Sequence, residues 1–280
     1  MSNQLALFSE PAGAPGLDQA RDLVARYGSA LAIVVNMSGG KDSVRMLGYL
    51  REQFPNVRMY VVYADTGFEH VRPVSAETWS RERAAAYGLP LHVVRNPNTT
   101  FLSMVERRGM FPDSKNRQCT SDLKRGPVEV FIRSLPEKVV LNCIGIRAAE
   151  SPKRAQKEPW KLNARLSKAG RRVVDWMPIF RESLADVLAW HKSTGTPFHP
   201  VYVYAGAGGY LKRFSCRVCI FSTAADLHAI HANDREAFDL VAELEQRIGF
   251  TLKSGKSLFQ ILGQAPASAD QYGSEESPCF

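Results

Sequence analysis

Cysteine is scarce: five in 280 residues, at Cys119, Cys143, Cys216, Cys219 and Cys279. An odd number in a chain without an export signal argues against a disulfide framework and leaves the thiols for metal or redox chemistry. Long apolar runs are missing too. No stretch approaches the roughly 18 to 20 residues that a membrane span needs, and the opening "MSNQLALFSEPAGAPG" has neither a basic n-region nor a long h-region. A cytoplasmic protein without a membrane partner is the expectation. The sequence carries neither G-x-x-x-x-G-K-[ST] nor G-x-G-x-x-G, which argues against a P-loop NTPase and a Rossmann dehydrogenase. Internal repeats are not evident. Histidine is sparse as well, and His199, His228 and His231 lack the partner pattern of a triad or metal site, so each reads as structural or exposed. Acidic residues are in deficit, 28 against 36 Lys and Arg, giving a formal charge of +8 and a pI near 9.3. That balance biases the surface toward anions such as nucleotides, phosphate or nucleic acid.

What is present reads as an ordinary soluble enzyme, 45% apolar and 23% charged. The residues from Leu17 to Tyr27 space their apolar side chains at helical intervals, and Gly28 stops them. "ALAIVVNM" is a β-branched run that reads as a buried parallel strand. Strand, helix, strand and helix then alternate through "VRMYVVYADTG", "ETWSRERAAAYG", "LPLHVVR", "PVEVFIRSL" and "KVVLNCIGIR", which completes the expected strand set. Alternation of this kind predicts βαβ units: a three-layer, doubly wound, mostly parallel α/β sheet that binds ligands at its strand carboxyl ends. The expected organisation is a flexible segment over 1–16 and a nucleotide-binding domain over 17–200. A small helical, cysteine-containing extension follows over 201–262, and then a disordered tail over 263–280. Residues 151–172 carry eight Lys or Arg against one Glu and read as a mobile basic loop or lid.

Between the first strand and its helix lies Ser38-Gly39-Gly40-Lys41-Asp42-Ser43. The first N–H groups of a helix lack partners, its dipole adds positive potential, and glycines let backbone approach phosphate. Lys41 adds charge, Ser38 and Ser43 can donate, and Asp42 can hold Mg²⁺ or its waters. Elsewhere, Cys216-Arg-Val-Cys219 is a C-x-x-C that by itself fits zinc, redox chemistry or no ligand at all. Cys143, inside a strand, reads as a buried apolar residue.

"SGGKDS" after a β-rich run resembles the PP-loop of the adenine-nucleotide α-hydrolase superfamily, whose members cleave ATP between the α and β phosphates. Three further segments resemble the phosphoadenosine phosphosulfate (PAPS) reductase family within it: "YADTGFEH" from Tyr63, "RQCTSDLKRGPV" from Arg117, and "GIRAAESPKR" from Gly145. "WMPIFRESLADVLAW" fits the same pattern. The resemblance implies ATP with Mg²⁺, Asp65, Thr66 and Gly67 facing the nucleotide, and Lys124, Arg147 and Arg154 contacting phosphate or substrate. Lys41, Asp42 and Arg147 are the implied catalytic residues. Cys119 falls in a segment that can carry two adjacent cysteines binding a [4Fe–4S] cluster with a later C-x-x-C. Here the neighbour is Thr120, so Cys119, Cys216 and Cys219 would supply three thiolates, similar to three-cysteine tRNA and DNA thiolation enzymes. The implied function is ATP-dependent adenylation of a substrate, followed by sulfur transfer to DNA or tRNA with a sulfur-donor or reductant protein as partner. One alternative is reduction of an adenylyl sulfate with Cys279 as nucleophile, although Glu275 and Glu276 beside it would raise a thiol's pKa. Another is a non-catalytic subunit that binds nucleotide or nucleic acid.

Overall fold

The structure is a computed structural model that describes residues 13–263 except Ala207 and Ser215. Its chain divides into two compact units, one of 1–101 with 118–215 and one of 102–117 with 216–280.

The first unit is built on six strands: β1 (Leu31–Met37), β2 (Met59–Asp65), β3 (Leu91–Arg95), β4 (Val139–Cys143), β5 (Trp160–Leu162) and β6 (Arg172–Trp176). They lie in the order β3-β2-β1-β4-β6-β5. All neighbours are parallel except β5, which pairs antiparallel with β6. β1 is central and buried on both faces, which is why its sequence is a continuous apolar run rather than an alternating one. Leu31, Ile33, Val35 and Met37 point into the larger core with helices α1 (Leu17–Tyr27) and α2 (Lys41–Gln53). Val34 points the other way, against Val128 and Ile132 of the helix Gly126–Ser134. Three layers result, with the sheet in the middle.

β1 leads toward β2 on one side, whereas β4 returns to its other side, so the strand order reverses between β1 and β4. Open α/β sheets offer a crevice at such a point, outside the strand carboxyl ends. The segments after Met37 and Cys143 meet there.

The basic stretch is more ordered than its composition predicts. Trp160–Leu162 and Arg172–Trp176 extend the sheet beyond the expected strands, and the link between them is tied down. Asn163 Nδ2 donates to both carboxylate oxygens of Asp175 at 3.1 and 3.0 Å. The Arg171 guanidinium donates to the carbonyls of Arg133, Leu135 and Glu137, capping the helix Gly126–Ser134. Pro15, just before α1, is tied to the sheet, since Trp176 Nε1 donates to Pro15 O at 2.7 Å.

The second unit is helical, with Ala224–Asn233, Arg235–Ile248 and Leu258–Ile261 packed on one another. Phe238, Val241 and Leu258 fill its core. The buried Glu245 carboxylate accepts backbone N–H groups from Leu252 and Leu258, while burial raises its pKa. Among the described residues, no helix is long and apolar enough to cross a membrane.

Candidate active site

The loop after β1 is shaped by two glycines. Gly39 has φ +79°, a left-handed conformation, and a Cβ there would come within 2.8 Å of Ser80 Oγ. Gly40 is extended and starts α2 with no side chain of its own to cap it; the first helical N–H, that of Lys41, meets the Tyr202 hydroxyl at 3.2 Å. Ser43 Oγ donates to Gly40 O at 2.8 Å, and lies 3.1 Å from Ser38 Oγ, so the two hydroxyls brace the turn. Gly145 brings the segment after β4 against this helix start: a Cβ on it would lie 3.2 Å from Ser43 Cα.

A cavity of about 430 Å³ opens here, lined by Ser38 and Gly40 to Ser43 on one side and by Gly145, Arg147, Glu150 and Arg154 on another. Tyr202, Tyr204, Lys212, Arg213 and Phe214 close it. Five cationic side chains face two acidic ones, and both acids are already engaged. Asp42 Oδ2 accepts from Lys41 Nζ at 2.8 Å, and its Oδ1 accepts from Arg147 Nε at 2.6 Å. Glu150 pairs with Arg154 and accepts the Arg147 backbone N–H. Lys41 and Arg147 are buried, with only 8% and 5% of their side chains exposed. A helix N-terminus surrounded by surplus, partly desolvated cations is an anion receptor.

A second cavity, of about 880 Å³, shares Ser38, Ser43, Gly145, Arg154 and Phe214 with the first. Its apolar wall includes Met37, Val62, Tyr63, Ala64 and Ile144. Its floor is a polar ladder across the strand ends. Asn36 Nδ2 donates to Asn142 Oδ1, and Asn142 Nδ2 donates to Asp175 Oδ1, both at 2.7 Å. Glu129, held by Arg125, Arg133 and Arg165, lies beside it. Lys124 and Arg125 enter from a π-helical turn, Ser121–Arg125, set between helical segments. π-Turns are frequent at functional sites.

The sequence-predicted residues thus divide. Ser38, Gly40, Lys41, Asp42, Ser43, Arg147 and Arg154 meet at the first cavity, with Gly39 shaping the turn. Lys124 lines the second. Asp65, Thr66 and Gly67 line neither. They form a self-contained turn in which Glu69 accepts from Thr66 Oγ1 and two backbone amides, and Asp65 accepts from Gly67 N while pairing with Arg95. Tyr63, Ala64 and Glu69 of that motif face the cavity instead. Tyr202, Lys212 and Arg213 are the residues that the sequence reading missed. Their only signal is an aromatic and basic pair around the glycine-rich "AGAGGY".

The residues expected to hold metals are Asp42 and the thiols of Cys119, Cys216 and Cys219. Each Asp42 oxygen accepts one hydrogen bond from a cation, Oδ2 from Lys41 and Oδ1 from Arg147, which leaves lone pairs on both. Cys119 belongs to the first unit, and Cys216 and Cys219 to the second. Among the described residues, no group of three or more His, Cys, Asp or Glu is placed to hold a metal ion. Cys143 is sealed in β4, where burial pushes its thiol pKa well up. Cys279 lies outside the described residues.

Residues 32–210, more than half of the chain, match the phosphoadenosine phosphosulfate reductase domain. The chain belongs to that family. Relatives of this chain include the "uncharacterized 37.8 kDa protein in gpa 5'region" of Escherichia phage 186, 27% identical over 85% of this chain and 81% of its own length. A protein of Methanocaldococcus jannaschii is 30% identical over 61% of this chain, but over only 33% of its own length. Solved structures of similar fold include the U34-tRNA thiolase NcsA of Methanococcus maripaludis with its [4Fe–4S] cluster, at TM-score 0.47 and 14% identity, covering 90% of this chain and 83% of that one. Another is the NH3-dependent NAD synthetase of Campylobacter jejuni, at TM-score 0.40 and 16% identity, covering 90% and 94%. At these scores neither bears on activity.

Proposed function

We propose that the chain is an ATP-using PP-loop enzyme that cleaves the nucleotide between its α and β phosphates and adenylates an oxygen of a nucleic-acid acceptor, DNA or tRNA, for later displacement by sulfur. The observation that carries this reading is the N-terminus of α2, presented at the strand-order reversal and ringed by Lys41, Arg147, Arg154, Lys212 and Arg213. The triphosphate lies along Ser38 to Ser43, and the adenosine occupies the adjoining cavity against Met37, Tyr63 and Ala64.

In the reaction, the acceptor oxygen attacks the α-phosphorus as the bond to the bridging oxygen of the β-phosphate breaks, and the electron pair leaves with pyrophosphate. Charge grows on the leaving group, so fixed cations at that end lower the barrier more than they tighten ground-state binding. Asp42 holds Lys41 and Arg147 at the cavity rather than in solvent. A sulfur nucleophile then displaces AMP. No step is assigned to a metal or cluster.

Pyrophosphate release from ATP in the presence of DNA or tRNA tests the reading. Wild type releases pyrophosphate, and Lys41→Ala lowers the rate by about 100-fold or more, the size of losing one preorganised donor at developing charge. Release of ADP and phosphate, or an unchanged rate in Lys41→Ala, contradicts it. Nucleotide binding without turnover on any acceptor would instead make the chain a binding subunit.

A further inference from the structure

Tyr202 sits against the first cavity in a way that packing alone does not require. Its ring lies among Phe198, Tyr204 and Phe214, only 1% exposed, where phenylalanine would fill the same space without burying a hydroxyl. That hydroxyl is aimed at the start of α2. It accepts the backbone N–H of Lys41, the first of the helix, at 3.2 Å. Lys41 Nζ stands 5.7 Å from the ring centroid.

Two features hold the phenol there. A Cβ on Gly40 would lie 3.2 Å from the Tyr202 hydroxyl, so glycine is what lets the oxygen reach the helix. On the other side, Tyr202 bridges Leu211, and a Cβ on Gly209 would fall 1.8 Å from Tyr202 O. The glycine-rich turn thus clamps the tyrosine backbone, which explains a motif that the phosphate loop leaves unused.

A phenol oxygen has two lone pairs and one hydrogen. With one lone pair receiving the Lys41 amide hydrogen, the hydroxyl keeps its own hydrogen to donate, and Tyr202 lines the cavity. We infer that Tyr202 is a phosphate-binding residue, its O–H donated to the anionic end of the nucleotide while its oxygen takes up the first N–H of α2. The inference rests on the nucleotide reading of this cavity. The arrangement is a relay, in which an amide polarised by the helix strengthens the phenol as a donor. Burial raises the phenol's pKa, so the donor hydrogen stays in place through the physiological range.

Calorimetric titration of the full chain with inorganic pyrophosphate tests this, using wild type, Tyr202→Phe and Lys41→Ala, with thermal unfolding of each. Tyr202→Phe should bind pyrophosphate about 10- to 100-fold more weakly, as expected for one hydrogen bond to a charged acceptor, and its adenosine affinity should not change. Wild-type pyrophosphate affinity in a folded Tyr202→Phe protein overturns the inference and leaves the site reading intact. Equal weakening toward adenosine and pyrophosphate also overturns it, because that is the mark of a structural role. Failure of wild type to bind pyrophosphate and ATP, or no weakening in Lys41→Ala, defeats the site reading and this inference with it. Should Tyr202→Phe not fold, a wild-type crystal grown with pyrophosphate decides: the phenol oxygen within about 3.0 Å of a phosphate oxygen supports the assignment, and a longer separation refutes it.

Discussion

Single side chains set the chemistry of this site through what they already touch. Asp42 is 16% exposed and grips two cations that are more buried still. Its attraction to them offsets the cost of burying three charges, and removing one partner leaves the others uncompensated. Asp42→Asn should therefore cost roughly 3 kcal/mol, the low end for breaking a buried pair, measured by urea unfolding at neutral pH. A second residue supplies a pH signature. His199 Nδ1 accepts the Val201 N–H at 3.2 Å, while Nε2 lies 3.0 Å from Val74 O and so carries the ring's hydrogen. Protonating Nδ1 would destroy that acceptor, and burial lowers the pKa from 6.5 to about 4. Between those values the unfolded chain binds the extra proton, so stability falls as pH drops below 6.5. From pH 7 to 5, wild type should lose about 2 kcal/mol more than His199→Gln. Equal losses would show that the imidazole is not held neutral.

At the scale of elements, α2 joins the core to the cradle. Its interior Gly48 shows which force governs. Alanine would gain about 1 kcal/mol of helix propensity. The added Cβ would fall 2.3 Å from Trp190 Cζ2, a rigid ring, and overpacking costs about 1 to 3 kcal/mol. Gly48→Ala should thus destabilise the protein in thermal unfolding, where a surface helix glycine would show the reverse. Elements of this length and periodicity were legible in the sequence: β1 through β4, α1 and α2 stand where apolar spacing and glycine stops place them. β5 and β6 were not. They are three and five residues long and are joined by a basic turn rather than a crossover helix, so neither period nor spacing announces them. The phosphate loop was legible because local backbone and local residues make it. Tyr202 and Lys212 were not, because only the fold carries them to α2 from more than 150 residues away.

For the molecule as a whole, the formal charge of +8 is the property that an acceptor of high negative charge would meet first. The ordered β5–β6 region carries much of it, including Lys157 and Lys161 at the rim of the second cavity. Binding of duplex DNA or tRNA should weaken with salt as log K against log[salt], and Lys157→Glu with Lys161→Glu should flatten the slope by about one unit for each lost phosphate contact. A slope unchanged by both substitutions would remove this face from the interface. Cys219→Ser should leave pyrophosphate release within about twofold of wild type, because Cys219 lines neither cavity. Loss of pyrophosphate release would tie that thiol to activation itself.

The most direct measurement is a crystal structure of the full chain with a non-hydrolysable ATP analogue. The expected density has phosphates on the amides at the start of α2, between Lys41 and Arg147, with the adenosine beside Tyr63. Phosphates bound elsewhere on the surface, with the Lys41–Asp42–Arg147 cluster untouched, would contradict the assignment of this cradle.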